Sequence, residues 1–472
     1  MSRVLDAVRQ AARLTPGRVV VTSSHGSMTC AGLLAEVEFL AAELAGDTAP
    51  VGVVLDNGPD WVVADLALIA SGRPSVPIPP FFTPEQTANA LTDAGASLVI
   101  SPGRDHGIRL DPTGLPSRPL HPGTAKITYT SGSTGAPKGV CLSQDQMETV
   151  AVSLVEVLGR EKAGVHLPVL PLAVLLENVA GLYPILLAGG CYHALGLWEI
   201  GFANPFQPDL SRLLGTIVQS GATSLILVPE LLRGLIAAKA MSGVATPALD
   251  LVAVGGARVS PSLLAAAASV GLPVVEGYGL SECASVVAMN RPGDAAPGTV
   301  GRPLPHLSVS LGKDGEILVG PRTFLGYVGR PAAPGIVGTG DIGAFDGDGR
   351  LSIVGRKSNT IITAFGRNIA PEWVESELLS EPEILQALVF GEAQPALGAL
   401  IVPMPGRTED AVAAAIARVN ARLPDYAHVE RWRQTPPFDP ANGQLTANGR
   451  PRRAVLLTTY ADFVAAHQHE NA

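Results

Sequence analysis

The chain has 472 residues, 47% of them hydrophobic and 16% charged, with a formal net charge of −9. That length exceeds one ordinary domain and suggests two or three folding units. The apolar fraction excludes a disordered chain, and the acidic balance argues against a nucleic-acid partner, which calls for a basic stripe.

From the N-terminus, no cationic start leads into an apolar run, so no signal peptide is expected. Residues 51–55 read as a strand before a helix at 61–70, and a helix at 84–94 precedes a strand at 97–100. Residues 126–129 read as a strand entering the loop Thr130-Ser131-Gly132-Ser133-Thr134-Gly135-Ala136-Pro137-Lys138-Gly139, and 140–142 as the strand leaving it. Hydroxyls, glycines and one lysine can wrap a polyphosphate, because glycine permits close approach. A Walker loop places its lysine between Gly and Ser/Thr, whereas Lys138 follows Pro137 and precedes Gly139. The next helix starts only at Ser143, with Gln146 completing a capping box. The element is a strand-loop-strand phosphate grip. A plain Ser/Gly/Thr linker needs neither the lysine nor flanking strands.

The apolar stretch 166–190 is broken by Pro168, Pro171, Glu177 and Asn178, which makes it a buried core segment and not a membrane span. Strands at 224–228 and 251–254 alternate with helices at 229–240 and 260–269, the pattern of parallel sheets covered by helices. Cys30, Cys141, Cys191 and Cys283 lack ligand spacing and read as thiols of a reducing, cytoplasmic compartment.

Three further segments carry chemistry. In Glu276-Gly277-Tyr278-Gly279-Leu280-Ser281-Glu282, a tyrosine between glycines can face a flat base, while Ser281 and Glu282 offer oxygens to phosphate and Mg²⁺. Alone, the segment fits a glycine-rich turn with a packed tyrosine equally well. In Thr339-Gly340-Asp341 the carboxylate can take both hydroxyls of a ribose, although Gly-Asp is also common turn chemistry. Beyond residue 298, tight turns at Asp314-Gly315 and Asp346–Gly349 suggest hairpins. The run Gly355-Arg356-Lys357-Ser358-Asn359, followed by Gly366 and a helix from Pro371, suits either a hinge between domains or a plain linker. A last helix is expected at 409–421.

Together and in this order, these segments resemble the adenylate-forming superfamily of acyl-CoA synthetases, luciferases and peptide-synthetase adenylation domains. The resemblance, which covers nearly the whole chain, implies an α/β fold. Residues 1–356 would form stacked α/β subdomains with a small β-rich subdomain, and residues 357–472 a mobile α+β lid. It implies an enzyme that joins a carboxylic acid to the α-phosphate of ATP, with Mg²⁺, and then passes the acyl group to CoA or to the phosphopantetheine of an acyl carrier protein. By that resemblance, Thr130, Ser131, Gly132, Ser133, Thr134, Gly135 and Lys138 hold the triphosphate. Gly255, Gly256 and Ala257 frame the adenine with Glu276, Gly277, Tyr278 and Gly279, Tyr278 stacking on it. Ser281 keeps a hydroxyl where the family has threonine. Thr134 and Glu282 serve the metal, Asp341 the ribose diol, and Arg356 assists near it. Gly366 lets the pantetheine arm pass, and Leu423-Pro424-Asp425-Tyr426 also looks like the lid.

Three departures stand out. Fatty-acyl members carry histidine where this chain has Val174, in Leu170-Pro171-Leu172-Ala173-Val174-Leu175-Leu176-Glu177. The surrounding letters still look like long-chain ligases, so Val174 and Glu177 are expected beside an aliphatic acid. Ser358 stands where relatives have Asp or Lys at the hinge. In Leu445-Thr446-Ala447-Asn448-Gly449-Arg450 the terminal motif carries Arg450 where the family has its catalytic lysine. Arginine keeps the charge, but its planar fork cannot occupy a point-charge position identically. Two alternatives stay open: an adenylate-forming variant with another acid or nucleophile, and a nucleotide or acyl-adenylate binder with weak adenylation.

Overall fold

The computed structural model describes residues 2–103, 107–130, 137–204, 208–446 and 449–465. Two large sheets dominate the first 300 residues. The first has seven strands in the order Gly326–Tyr327, Lys138–Ser143, Thr124–Thr130, Ser75–Pro77, Val51–Val53, Leu98–Pro102 and Ile108–Pro112. Its central pairs are parallel and its outer pairs antiparallel. The second has nine strands, running from Arg302–Pro303 through Ser285–Met289, Val274–Leu280, Leu251–Val254, Ser224–Leu227, Val165–His166, Cys191–His193 and Val19–Ser23 to Gly26–Thr29. Ser224–Leu227 and Leu251–Val254 are apolar and largely buried, as parallel strands under helices are.

Local chemistry fixes the helices between them. Thr83 and Gln86 close a capping box at the start of Pro84–Ala94, and Ser143 with Gln146 does the same for Gln144–Leu158. Left-handed Gly72 and Gly95 end Pro59–Ser71 and Pro84–Ala94. A four-stranded antiparallel sheet, Ser308–Leu311, Glu316–Gly320, Val337–Phe345 and Leu351–Arg356, forms the β-rich part. Beyond it, a short turn at Lys357–Asn359 leads to a hairpin, Ile361–Ile362 with Asn368–Ile369. A three-stranded sheet of Ile384–Phe390, Leu397–Pro403 and Val429–Gln434 follows, packed by Pro371–Leu378 and Glu409–Asn420. One hydrophobic cluster there draws only on residues 361–432.

A buried ion pair ties the strand Thr124–Thr130 to the helix Pro59–Ser71 and the helical segment that starts at Asn178. Lys126 Nζ donates to Asp65 Oδ1 at 2.7 Å, to Asn178 Oδ1, and at 3.4 Å to Tyr183 Oη. Asp65 Oδ2 accepts from Tyr183 Oη at 2.8 Å and from Asn178 Nδ2 at 3.1 Å. Trp61 and Tyr183 offer their rings to the ammonium at 5.7 and 5.6 Å. Lys126 lies on the strand that enters the phosphate loop, and Asn178 begins a five-residue π-helical turn, Asn178–Leu182. The network therefore sets the loop strand against the segment carrying Val174 and Glu177. Lys126→Met strands the Asp65 carboxylate without its cation and is expected to cost about 3–5 kcal/mol. Pairing it with Asp65→Leu recovers part of that loss, and denaturant titration of the three proteins checks the order.

Candidate active site

The phosphate loop is closed at its base by antiparallel pairing of Thr130 with Lys138. Ser131, Gly132, Ser133, Thr134, Gly135 and Ala136 lie outside the described residues. Gly139 has no room for a side chain, since a Cβ would stand 2.8 Å from Val328 Cγ2 and 3.0 Å from the Tyr129 ring. Beside it, Lys138 Nζ lies 5.6 Å from the Tyr327 ring centre, and Tyr327 Oη donates to Glu282 Oε1 at 2.8 Å. Tyr327 thus joins the loop lysine to the proposed metal carboxylate, a role that sequence reading missed. Gly326-Tyr327 carries no pattern that would reveal it.

Glu282 is aimed by an unusual backbone. Strand Val274–Leu280 turns back through Ser281–Cys283 into Ser285–Met289, with Ala284 and Ser285 at φ +56° and +110°. A Cβ on Gly279 would stand 1.6 Å from the Ser285 carbonyl oxygen, so only glycine fits. Two non-glycine residues in the left-handed region store local strain of the kind that fixes functional turns.

On the same strand Tyr278 Oη donates to Asp341 Oδ2 at 2.6 Å, and Arg356 Nε meets Asp341 Oδ1 at 2.8 Å. Asp341 and Arg356 are direct cross-strand partners, which is why the pair forms. Asp341 is buried, which raises its pKa; the Arg356 charge and the Tyr278 hydroxyl oppose that rise. A carboxylate offers about four acceptor positions, so these two bonds leave capacity for the two hydroxyls of a diol.

Gly255 and Gly277 pack backbone to backbone: a Cβ on Gly255 would lie 3.3 Å from the Gly277 carbonyl oxygen and 3.9 Å from Leu176 Cδ2. Ala257 is exposed beyond them. Arg450 reaches this platform from the C-terminal region, its Nη2 donating to the Gly256 carbonyl. Crowding by protein lowers its pKa, with Glu230 opposing, and it remains a cation at neutral pH.

The structure thus gathers Lys138 with Glu282, and Gly255, Gly256, Tyr278, Asp341 and Arg356 with Arg450. It does not bring in Gly366, which sits at φ +69° on an exposed hairpin with open space around it. Val174 is half-buried before the short helix Leu175–Glu177. Glu177, expected beside the acid, is turned into the core, with Oε1 accepting from His166 Nε2 at 2.8 Å and Tyr192 Oη at 2.9 Å. The reason is a close approach at Gly181, where a Cβ would meet Glu177 Oε1 at 2.5 Å. Leu176 is the residue of that segment that lies against the glycine platform.

Among the described residues, no group of three or more His, Cys, Asp or Glu could hold a metal ion alone. Mg²⁺ is a hard ion held by one or two carboxylates together with phosphate oxygens and waters, and Glu282 would supply the carboxylate.

Glu276, buried on the same strand, has its pKa pushed up to about 7 by burial, with the Gly298 backbone and the Arg258 charge opposing. A carboxyl raised in the folded state costs stability as pH climbs from its unfolded value to its folded one. Between pH 4.5 and 7 the chain is expected to lose about 3 kcal/mol through this group. Glu276→Gln removes that slope, as denaturant titrations at pH 5 and pH 8 would register.

Residues 8–328 match the family model of the AMP-binding enzyme, and residues 358–471 that of the AMP-binding enzyme C-terminal domain. The chain is 27% identical to the long-chain-fatty-acid–CoA ligase FadD15 of Mycobacterium bovis, over 86% of each protein. Its fold resembles that of the anthranilate CoA ligase AuaEII in complex with anthranoyl-AMP, with a TM-score of 0.82 at 19% identity, covering 97% of both chains. It also resembles O-succinylbenzoate coenzyme A synthetase (MenE) of Bacillus subtilis in complex with ATP and magnesium ion. There the TM-score is 0.76 at 22% identity, covering 95% of this chain and 98% of that one. With residues 8–328 and 358–471 matched, most of its length, the chain belongs to the AMP-binding enzyme family.

Proposed function

We propose that the chain is an ATP-dependent acid–thiol ligase acting in two half-reactions, with residues 1–356 as the catalytic body and 357–472 as the lid. The observation that carries this reading is the seating of Arg450 on Gly256, beside the Tyr278–Asp341–Arg356 set. A cation from the far end of the sequence thus reaches the proposed nucleotide surface, which supports a role for it in adenylation.

In the first half-reaction a carboxylate oxygen attacks the α-phosphorus of ATP, and the bond to pyrophosphate breaks. Tyr278 with Gly255 and Gly277 presents a flat face to the adenine, and Asp341 accepts from the ribose hydroxyls. Lys138 and the hydroxyls of Thr130, Ser131, Ser133 and Thr134 hold the phosphates. Bound Mg²⁺, held by Glu282 and Thr134, would supply charge neutralisation on the phosphates. Tyr327 keeps the Glu282 carboxylate oriented, and Arg450 offsets negative charge at the reacting phosphate. In the second half-reaction the thiol of CoA, or of a carrier-protein pantetheine, attacks the acyl carbon and AMP leaves. That step needs Gly366 at the site, and hence a turn of the lid.

For the acid we propose an aliphatic or otherwise apolar carboxylate. Leu176 lies against the glycine platform, Val174 stands two residues before it, and Glu177 is turned into the core. The likeness to a fatty-acid ligase supports this choice. Four free thiols suit a reducing, cytoplasmic setting.

A second reading, a nucleotide or acyl-adenylate binder with weak adenylation, is favoured by one observation. Arg450 spends a guanidinium N–H on a backbone carbonyl rather than standing free as a point charge.

Mass spectrometry of the chain with Mg·ATP, CoA and a pooled panel of carboxylic acids separates the two. An acyl-CoA is the expected product, with Arg450→Lys active within about tenfold and Arg450→Ala slower in adenylation by about 10²-fold. Nucleotide retained without pyrophosphate release in the unaltered chain would leave only the binding role.

A further inference from the structure

A second arginine contacts the C-terminal region away from the reacting groups. Arg233 lies on the helix Pro229–Ser242, which follows directly on the strand Ser224–Leu227 of the nine-stranded sheet. Its Nη1 donates to the carbonyls of Leu379 at 2.7 Å and Ile384 at 3.0 Å, and its Nη2 to that of Leu385 at 3.1 Å. Those acceptors are the places where the C-terminal fold leaves carbonyls over. Leu379 is the C-cap of Pro371–Leu378, whose last carbonyls have no helical partner. Ile384 and Leu385 stand at the irregular start of the strand Ile384–Phe390, where pairing shifts between Ile384 and Gln386. A planar fork with several N–H groups answers three such carbonyls at once; an ammonium on a flexible stem does so less well.

The same helix and strand hold the segment that carries Arg450. Arg453 bonds Glu375 of that helix at 2.5 Å and the Val389 carbonyl of that strand. The Val389 N–H in turn donates to Glu375 Oε1 at 2.8 Å. Arg450 lies three residues before Arg453 and reaches Gly256. Arg233 therefore grips one end of a rigid helix–strand unit whose other attachment aims Arg450.

We propose that Arg233 is a positioning residue for adenylation: it seats the lid on the catalytic body and thereby holds Arg450 at the Gly256 carbonyl. This rests on the two-half-reaction reading above. Arg233 touches neither nucleotide nor acid, and its bonds must break when the lid turns to admit the thiol.

The test separates the half-reactions. Acid-dependent exchange of labelled pyrophosphate into ATP reports adenylation, and thioester formation from a supplied acyl-adenylate reports transfer. Arg233→Met is expected to slow exchange at least tenfold and leave transfer within twofold, with Arg233→Lys in between. In the Arg233→Met background, Arg450→Ala is expected to cost much less than in the unaltered chain, because the two act as a unit. Equal losses in both half-reactions, or full additivity of the two substitutions, would overturn the proposal. If the unaltered chain exchanges no label with any acid, the ligase reading itself fails. Seating is then read from the rate of trypsin cleavage after Arg356 and Lys357: faster cleavage in Arg233→Met supports it and an unchanged rate sinks it. If Arg233→Met does not fold, Arg233→Lys carries the same comparisons.

Discussion

The desolvated carboxylate of Asp341 is the point on which the separate parts of this molecule converge. Its own strand belongs to the antiparallel sheet, Tyr278 comes from the nine-stranded sheet, and Arg356 ends the last strand before the C-terminal region. Burial raises the carboxylate's pKa, and Arg356 and Tyr278 lead the groups that bring it back toward ionisation. The need to satisfy one buried charge therefore dictates that three pieces of chain arrive together. A carboxylate held this way is rigid before any ligand binds, so little ordering entropy remains to be lost on binding.

Around that charge the site is built largely from backbone. At Gly139, Gly255 and Gly279 a Cβ would meet other atoms at 2.8, 3.3 and 1.6 Å, and each of these glycines lies on or beside the proposed nucleotide surface. Close backbone approach leaves peptide groups, rather than side chains, facing the space where a base and phosphates would lie. Side chains enter singly where charge is needed: Lys138 by the loop, Glu282 through Tyr327, Arg450 from the C-terminal region.

Much of this was legible in the sequence, and the reason differs from element to element. The helix Pro84–Ala94 has the bounds its capping residues and Pro84 predict, because capping is a local interaction between residues three apart. The strands flanking the phosphate loop follow from their β-rich runs. By contrast, Val165–His166 and Cys191–His193 are too short to carry a periodic signal, and only their neighbours in the sheet define them. Glu177 misled for a related reason. Its letters give no sign of whether the carboxylate faces a cleft or the core, and the deciding contacts with His166, Tyr192 and Gly181 are tertiary. Tyr327 and Arg233 were invisible because neither belongs to a motif; each acts by reaching across to another element.

On the reading proposed above, the contrast between the two arginines explains how a seated lid would remain compatible with turnover. A bond from a charged donor is worth about 1.5–3 kcal/mol net when buried and less at an exposed edge. Arg233 is half-buried and Arg450 exposed as a residue, so their combined hold amounts to a few kcal/mol. A bias of that size populates one lid orientation at the level of 99% or so without trapping it. Lysine at position 450 would leave that part of the hold to a single ammonium; arginine there adds a directed bond to the Gly256 carbonyl. On the two-half-reaction reading proposed above, arginine at position 450 would strengthen seating at the expense of a free point charge and favour the first half-reaction's geometry over the lid's departure for the second.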